Sequence, residues 1–73
     1  MDDAKIQLKV FGLSVREIRK SKNISQEDLG YKSELHRTYI GMIERGEKNI
    51  TLLNIYKLAR GLDIEINYLF KNK

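Results

Sequence analysis

Between Ser25 and Gly46 the chain reads SQEDLGYKSELHRTYIGMIERG, two short helical patterns interrupted only at Ser33-Glu34-Leu35. Two helices joined over so short a turn have few ways to pack. They cross, each seals one face against the domain, and the second is left presented to solvent. Local signals support both. Ser25 followed three residues later by Asp28 is a capping pair for the first helix, and Leu29 points inward. Gly30 stands one turn into that helix, where it faces the second and must be small. A glycine inside a helix costs about 1 kcal/mol against alanine, which close packing explains. The second of the pair, the third helix of the chain, runs from about His36 to Arg45, with Ile40 and Ile43 facing the core and Gly46 stopping it.

The flanking segments extend the pattern. From Lys5 to about Lys22, Leu8, Phe11, Val15 and Ile18 recur at helical spacing, with Lys9, Arg16, Arg19 and Lys20 off or beside that stripe. Asn23 suits a left-handed stop. A fourth helix is expected from Thr51 or Leu52, with Leu52, Ile55, Leu58 and Ala59 inward. Asp63 makes a bend, and Ile64 to Phe70 contains a short fifth helix. With no proline and five glycines the composition favours helix throughout. The expected fold is all-α, a compact five-helix single domain over residues 1–73.

A chain of 73 residues without cysteine lies near the lower limit for folding on apolar burial alone. Pairing two copies would bury more, so a homodimer is expected. Its interface would lie in about residues 62–70, chiefly Ile64, Ile66, Leu69 and Phe70, the apolar side chains left over once one small core is filled.

Catalysis finds no support. There is one histidine, no cysteine, no glycine-rich phosphate loop and no pair of carboxylates marked out by spacing. Asp2-Asp3 reads as a solvated terminus, and a lone His36 is neither a metal site nor a proton shuttle. No catalytic residue, metal or cofactor is expected. No apolar stretch approaches the roughly 20 residues that span a bilayer. The net charge of +4, from 14 Lys and Arg against 10 Asp and Glu, permits a polyanionic partner without requiring one.

The outer face of the third helix is more informative. With Ile40 and Ile43 inward, Arg37, Thr38, Gly41, Met42 and Arg45 are expected outward. Arginine can donate two hydrogen bonds to guanine, threonine can bond a base or touch a thymine methyl, and methionine adds an apolar contact. An ordinary solvated helix face would carry Glu and Lys instead. Ser25 and Gln26 open the second helix, where backbone N–H groups and the dipole favour an anion. Lys48 and Asn49 follow the third helix in a loop able to reach the far side of a groove, although loop polarity alone explains Lys48 equally well. Tyr39 could give its hydroxyl to a phosphate while its ring packs inward; packing alone is an equal reading.

At these residues the chain resembles the lambda-repressor-like (Cro-type) helix-turn-helix family over nearly its whole length. VREIRKSKNISQEDLG is similar to that family's first helix and the entry to its second, TYIGMIERG to its recognition helix, and LLNIYKLARGLDIEINYLF to its closing helices. Within the family, SQEDLGYKSELHRTYIGMIERGEKNIT resembles the controller proteins of restriction–modification systems. The resemblance implies a homodimeric regulator that binds operators upstream of its own gene and an endonuclease gene, activating and then repressing. It implies base reading by Arg37 and Thr38, backbone contacts from Gln26, Tyr39 and Asn49, and an ion pair between Arg19 and Glu44 tying the first helix to the third. Double-stranded DNA, a second copy and, during activation, RNA polymerase are the implied partners. The implied location is the bacterial cytosol, on the nucleoid.

Three positions depart from the family's pattern. Glu34 occupies the turn position where Gly or Asn is usual, because the backbone there favours positive φ, at a cost of about 1–2 kcal/mol. His36 stands where Thr or Asp would cap better. Asp63 replaces an expected glycine, which the left-handed tolerance of Asp absorbs. Rival readings are a phage-type repressor, an antitoxin's DNA-binding domain, or, in another class, a protein-interaction module whose third helix packs on a partner. Steep salt dependence would separate DNA binding from an apolar interface.

Overall fold

The computed structural model describes residues 3–70. They form α1 (Asp3–Ser21), α2 (Gln26–Ser33), α3 (Arg37–Glu44), α4 (Leu52–Leu62) and a closing 3-10 helix (Ile66–Phe70). The expected four α-helices are present, with the first beginning slightly earlier than its apolar stripe required. The expected fifth is a 3-10 helix of 5 residues. So short a segment cannot repay α-helix nucleation, and tertiary bonds hold it instead. The Ser14 hydroxyl of α1 donates to the Leu69 carbonyl at 2.9 Å.

Every α-helix stops in the same way, on a residue of positive φ: Asn23 (60°), Glu34 (60°), Gly46 (75°) and Asp63 (59°). After each, the next N–H reaches back across the last turn: Ile24 to the Arg19 carbonyl, Leu35 to Gly30, Glu47 to Met42 and Ile64 to Ala59. This six-residue closure satisfies carbonyls that the helix ends would otherwise orphan. In three of the four cases the returning residue is Ile24, Leu35 or Ile64, and each packs its side chain against the core. The caps thus set the direction in which the chain leaves each helix.

Val15, Leu29, Ile40, Ile43, Leu58, Ala59, Leu62 and Leu69 form the buried core. Phe11, Ile18 and Ile55 are half-buried around it, as is Leu8. Leu52, expected inward, is 64% exposed. It is the first residue of α4, and Thr51 holds that end as N-cap, accepting from the Asn54 N–H at 3.2 Å. The inward stripe therefore begins at Ile55.

Helix α2 packs on α3 and α4, and α1 packs on α3 and on the 3-10 helix. Backbones approach closely where glycine permits it. A Cβ on Gly12 would run into the Ile43 carbonyl and lie 2.7 Å from that of Glu44, so α1 lies directly on the end of α3. A Cβ on Gly30 would lie 2.5 Å from the Leu35 carbonyl oxygen and 3.2 Å from the Arg37 nitrogen. Gly30 is therefore the small residue that lets α2 turn into α3.

Candidate nucleic-acid interface

Ser25 caps α2 through a reciprocal box: its hydroxyl accepts from the Asp28 N–H at 2.9 Å, and its own N–H donates to the Asp28 carboxylate at 3.3 Å. After α2, Glu34, Leu35 and His36 make the turn. His36, expected to be an inferior cap, occupies the N-cap of α3 with its Nδ1 accepting from the Thr38 N–H at 3.0 Å. That bond requires an unprotonated Nδ1. A ring nitrogen thus does what an Asp or Thr oxygen usually does.

The far end of α3 is anchored beneath the surface. Glu44 is buried and accepts from Arg19 Nε at 2.7 Å and Nη2 at 3.1 Å. Arg19 is buried too, and its Nη1 donates to the Ile24 carbonyl at 2.9 Å. Gln26 Nε2 completes the network with a 3.0 Å bond to Glu44 Oε1. One guanidinium and one carboxylate therefore join α1, the α1–α2 loop, the first residue of α2 and the last of α3. Buried pairs of this kind add little net stability but fix geometry, because every partner must be in place.

Successive residues on α3 rotate by about 100°. Thr38, Met42 and Arg45 lie within a narrow sector opposite Ile40 and Ile43. Thr38 and Arg45 are exposed and Met42 is half-buried at the edge. Arg37 is exposed in the first turn, and its guanidinium lies 3.6 Å from the Glu27 carboxylate of α2. Gly41, expected on the outer face, is buried. It faces α2, where a Cβ would come within 3.2 Å of Arg45 Nη1 and 3.5 Å of Gln26 Oε1. Its role is to admit those two side chains.

The remaining residues rim this sector. Ser25, Lys48 and Asn49 are exposed in the loops on either side of it, and Gln26 is half-buried. Tyr39 is half-buried, and its hydroxyl accepts from Asn54 Nδ2 at 3.2 Å. Arg45 Nε and Nη2 donate to Glu47 at 3.0 and 3.2 Å. That side-chain hydrogen bond holds the Glu47 carboxyl below its usual range and raises the arginine. Sequence reasoning missed both Asn54 and Glu47. The only signals were an Asn three residues after a Thr cap and a Glu just past a glycine stop.

Among the described residues no helix is long and apolar enough to cross a membrane. Leu69, expected at the dimer surface, is 1% exposed and belongs to the protomer core. Ile64 and Ile66 are half-buried against that core, whereas Phe70 is exposed, its ring centroid 5.3 Å from that of Phe11.

Two short helices locked at a tight turn, the second turning Thr, Met and Arg outward, make a helix-turn-helix unit. Comparison with known proteins agrees. Residues 15–69 match the helix-turn-helix family. The control protein C.BamHI of Bacillus amyloliquefaciens is 51% identical over 57 residues, covering 77% of this chain and 70% of that protein. The control protein C.MunI of a Mycoplasma species is 38% identical over 73 residues, covering 99% and 95%. The crystal structure of the restriction–modification controller protein C.AhdI from Aeromonas hydrophila superposes with a TM-score of 0.88 at 49% identity, covering 89% of this chain and 98% of that one. The chain belongs to the helix-turn-helix family, among the restriction–modification controller proteins, and is a DNA-binding regulator of transcription.

Proposed function

We propose that the protein acts as a homodimer on pseudo-palindromic operators, activating and then repressing its own gene and that of a linked endonuclease. The observation that carries this reading is the rigid seat of α3, capped by His36 at one end and held through Glu44 at the other, with Thr38, Met42 and Arg45 outward. A helix so held can enter a major groove without being reordered on binding. Arg37 and Thr38 read base edges and Met42 supplies an apolar contact. Ser25, Gln26, Tyr39, Arg45, Lys48 and Asn49 hold the phosphates on either side. Asn54 fixes the Tyr39 hydroxyl, which supports its use as a directed phosphate contact.

Self-association would use Phe70 with half-buried Ile64 and Ile66, extended by Leu52, Leu53 and Tyr56, which are exposed on one side of α4. Two-fold symmetry then sets half-site centres about 10 bp apart. RNA polymerase is the further partner during activation, and the nucleoid of the cytosol is the working location.

Competition binding tests the division of labour. Arg37→Ala should relax preference at one base pair per half-site, losing about 1–3 kcal/mol on the operator and little on random duplex. Lys48→Ala should weaken both alike and make the salt dependence shallower. Equal losses for Arg37→Ala on the two duplexes would remove it from base reading.

A further inference from the structure

The two arginines of the α3 face do not stand alone: Arg37 lies near Glu27, and Arg45 is gripped by Glu47. The second pair has the better geometry. Glu47 takes the Nε–Nη2 edge of the guanidinium in two hydrogen bonds, a fork-to-carboxylate match. The loop that carries Glu47 is itself set by the closure at Gly46, where the Glu47 N–H donates to the Met42 carbonyl at 2.9 Å. On its other side the guanidinium extends over Gly41, where a Cβ would come within 3.2 Å of Nη1, so the missing side chain leaves room for this orientation.

Stability does not account for this arrangement. Both side chains are at least half exposed, 58% and 50%, and an exposed pair contributes little to folding. The carboxylate also sits next to a surface that must approach DNA phosphates, where an extra negative charge weakens binding to every sequence.

We propose that Glu47 is a positioning residue that sets DNA specificity through Arg45, an inference that rests on α3 being the DNA-contacting helix. An unrestrained arginine at this point would find a phosphate in any docking register and so strengthen binding to all DNA. Gripped by Glu47, the guanidinium presents its remaining edge in one direction, and its phosphate contact is available only in the register that the base contacts select. The carboxylate at the same time cancels the arginine's unspecific attraction. Specificity is a difference of affinities, and Glu47 raises it chiefly by weakening the wrong complexes.

The test uses the full chain, an operator duplex selected from random sequence by the wild-type protein, and a shuffled duplex of equal length. Glu47→Gln should lower the operator-to-shuffled affinity ratio by about fivefold or more, chiefly by tightening binding to the shuffled duplex. The salt dependence on that duplex should steepen by about one ion. In an Arg45→Ala background the same substitution should shift both duplexes alike and leave the ratio unchanged. Circular dichroism melts should show the same midpoint for Glu47→Gln as for wild type within a few degrees. An unchanged ratio in the single variant, or an equal fall with and without Arg45, overturns the proposal. A wild-type protein that selects no duplex overturns instead the DNA reading beneath it.

Discussion

Replacing Glu44 by alanine should be among the most damaging single changes in the molecule. Glu44 and Arg19 are 6% and 8% exposed, and Glu44 supplies two of the three acceptors that Arg19 uses. Without it the guanidinium keeps only the Ile24 carbonyl, and Gln26 loses its acceptor as well. Removing one partner of a buried ion pair costs about 3–5 kcal/mol, because the other charge stays buried and unpaired. At about 0.05–0.15 kcal/mol per residue, a domain of this size has about 4–11 kcal/mol in total. The variant should therefore lose about a quarter or more of its stability. Urea denaturation followed by circular dichroism, at one fixed protein concentration, measures this. With a slope near 1 kcal/mol per molar, the midpoint should fall by about 3 M or more. The double replacement Arg19→Met with Glu44→Leu removes both charges and should recover to within about 1 kcal/mol of wild type. A loss below about 1 kcal/mol for Glu44→Ala, or a double variant no better than the single, would show that the pair is not the anchor described.

Glu34→Gly should raise the melting temperature by relieving a left-handed residue at about 1 kcal/mol, since the Arg60–Glu34 pair it removes is exposed and 3.6 Å long. A clear fall would mean that pair contributes more than its geometry suggests. Ser33→Ala should be neutral or stabilise by up to about 1 kcal/mol, because the Ser33 hydroxyl is fully buried without a partner; a loss above that in the same urea titration would reveal one. Leu69→Ala should cost about 2–5 kcal/mol of folding stability. Phe70→Ala should chiefly weaken self-association, which sedimentation beside thermal melts separates. If Phe70→Ala sedimented as wild type, the proposed self-association through Phe70 would be refuted.

Much of the architecture follows from local rules that act within a few residues. Ser25 and Asp28 form their box, Asn23, Gly46 and Asp63 stop their helices, and Ile40 and Ile43 turn inward because one-residue rotation leaves them no other face. What local rules could not supply was depth. Leu52 satisfies the apolar period of α4 yet lies at its first turn, where no neighbouring helix covers it. Leu69 and Phe70 are adjacent and equally apolar, and the packing of the 3-10 helix on both α1 and α4 decides that Leu69 is sealed and Phe70 is not. Gly41 counts as outward by rotation until α2 is placed beside it. His36 is a weak cap by residue type but a good one by geometry, because its Nδ1 reaches the Thr38 N–H. The pairing of Arg45 with Glu47 needed the loop conformation after Gly46, which residue spacing does not encode.

In the proposed dimer a pair of α3 helices, related by two-fold symmetry, reads a defined DNA sequence. Incubating the purified protein with random duplexes, recovering those retained at near-physiological salt and sequencing them tests it most directly. An inverted repeat with half-site centres about 10 bp apart, one turn of the duplex, should be enriched. Retained duplexes with no shared sequence, or a single half-site bound as tightly as the repeat, would contradict it.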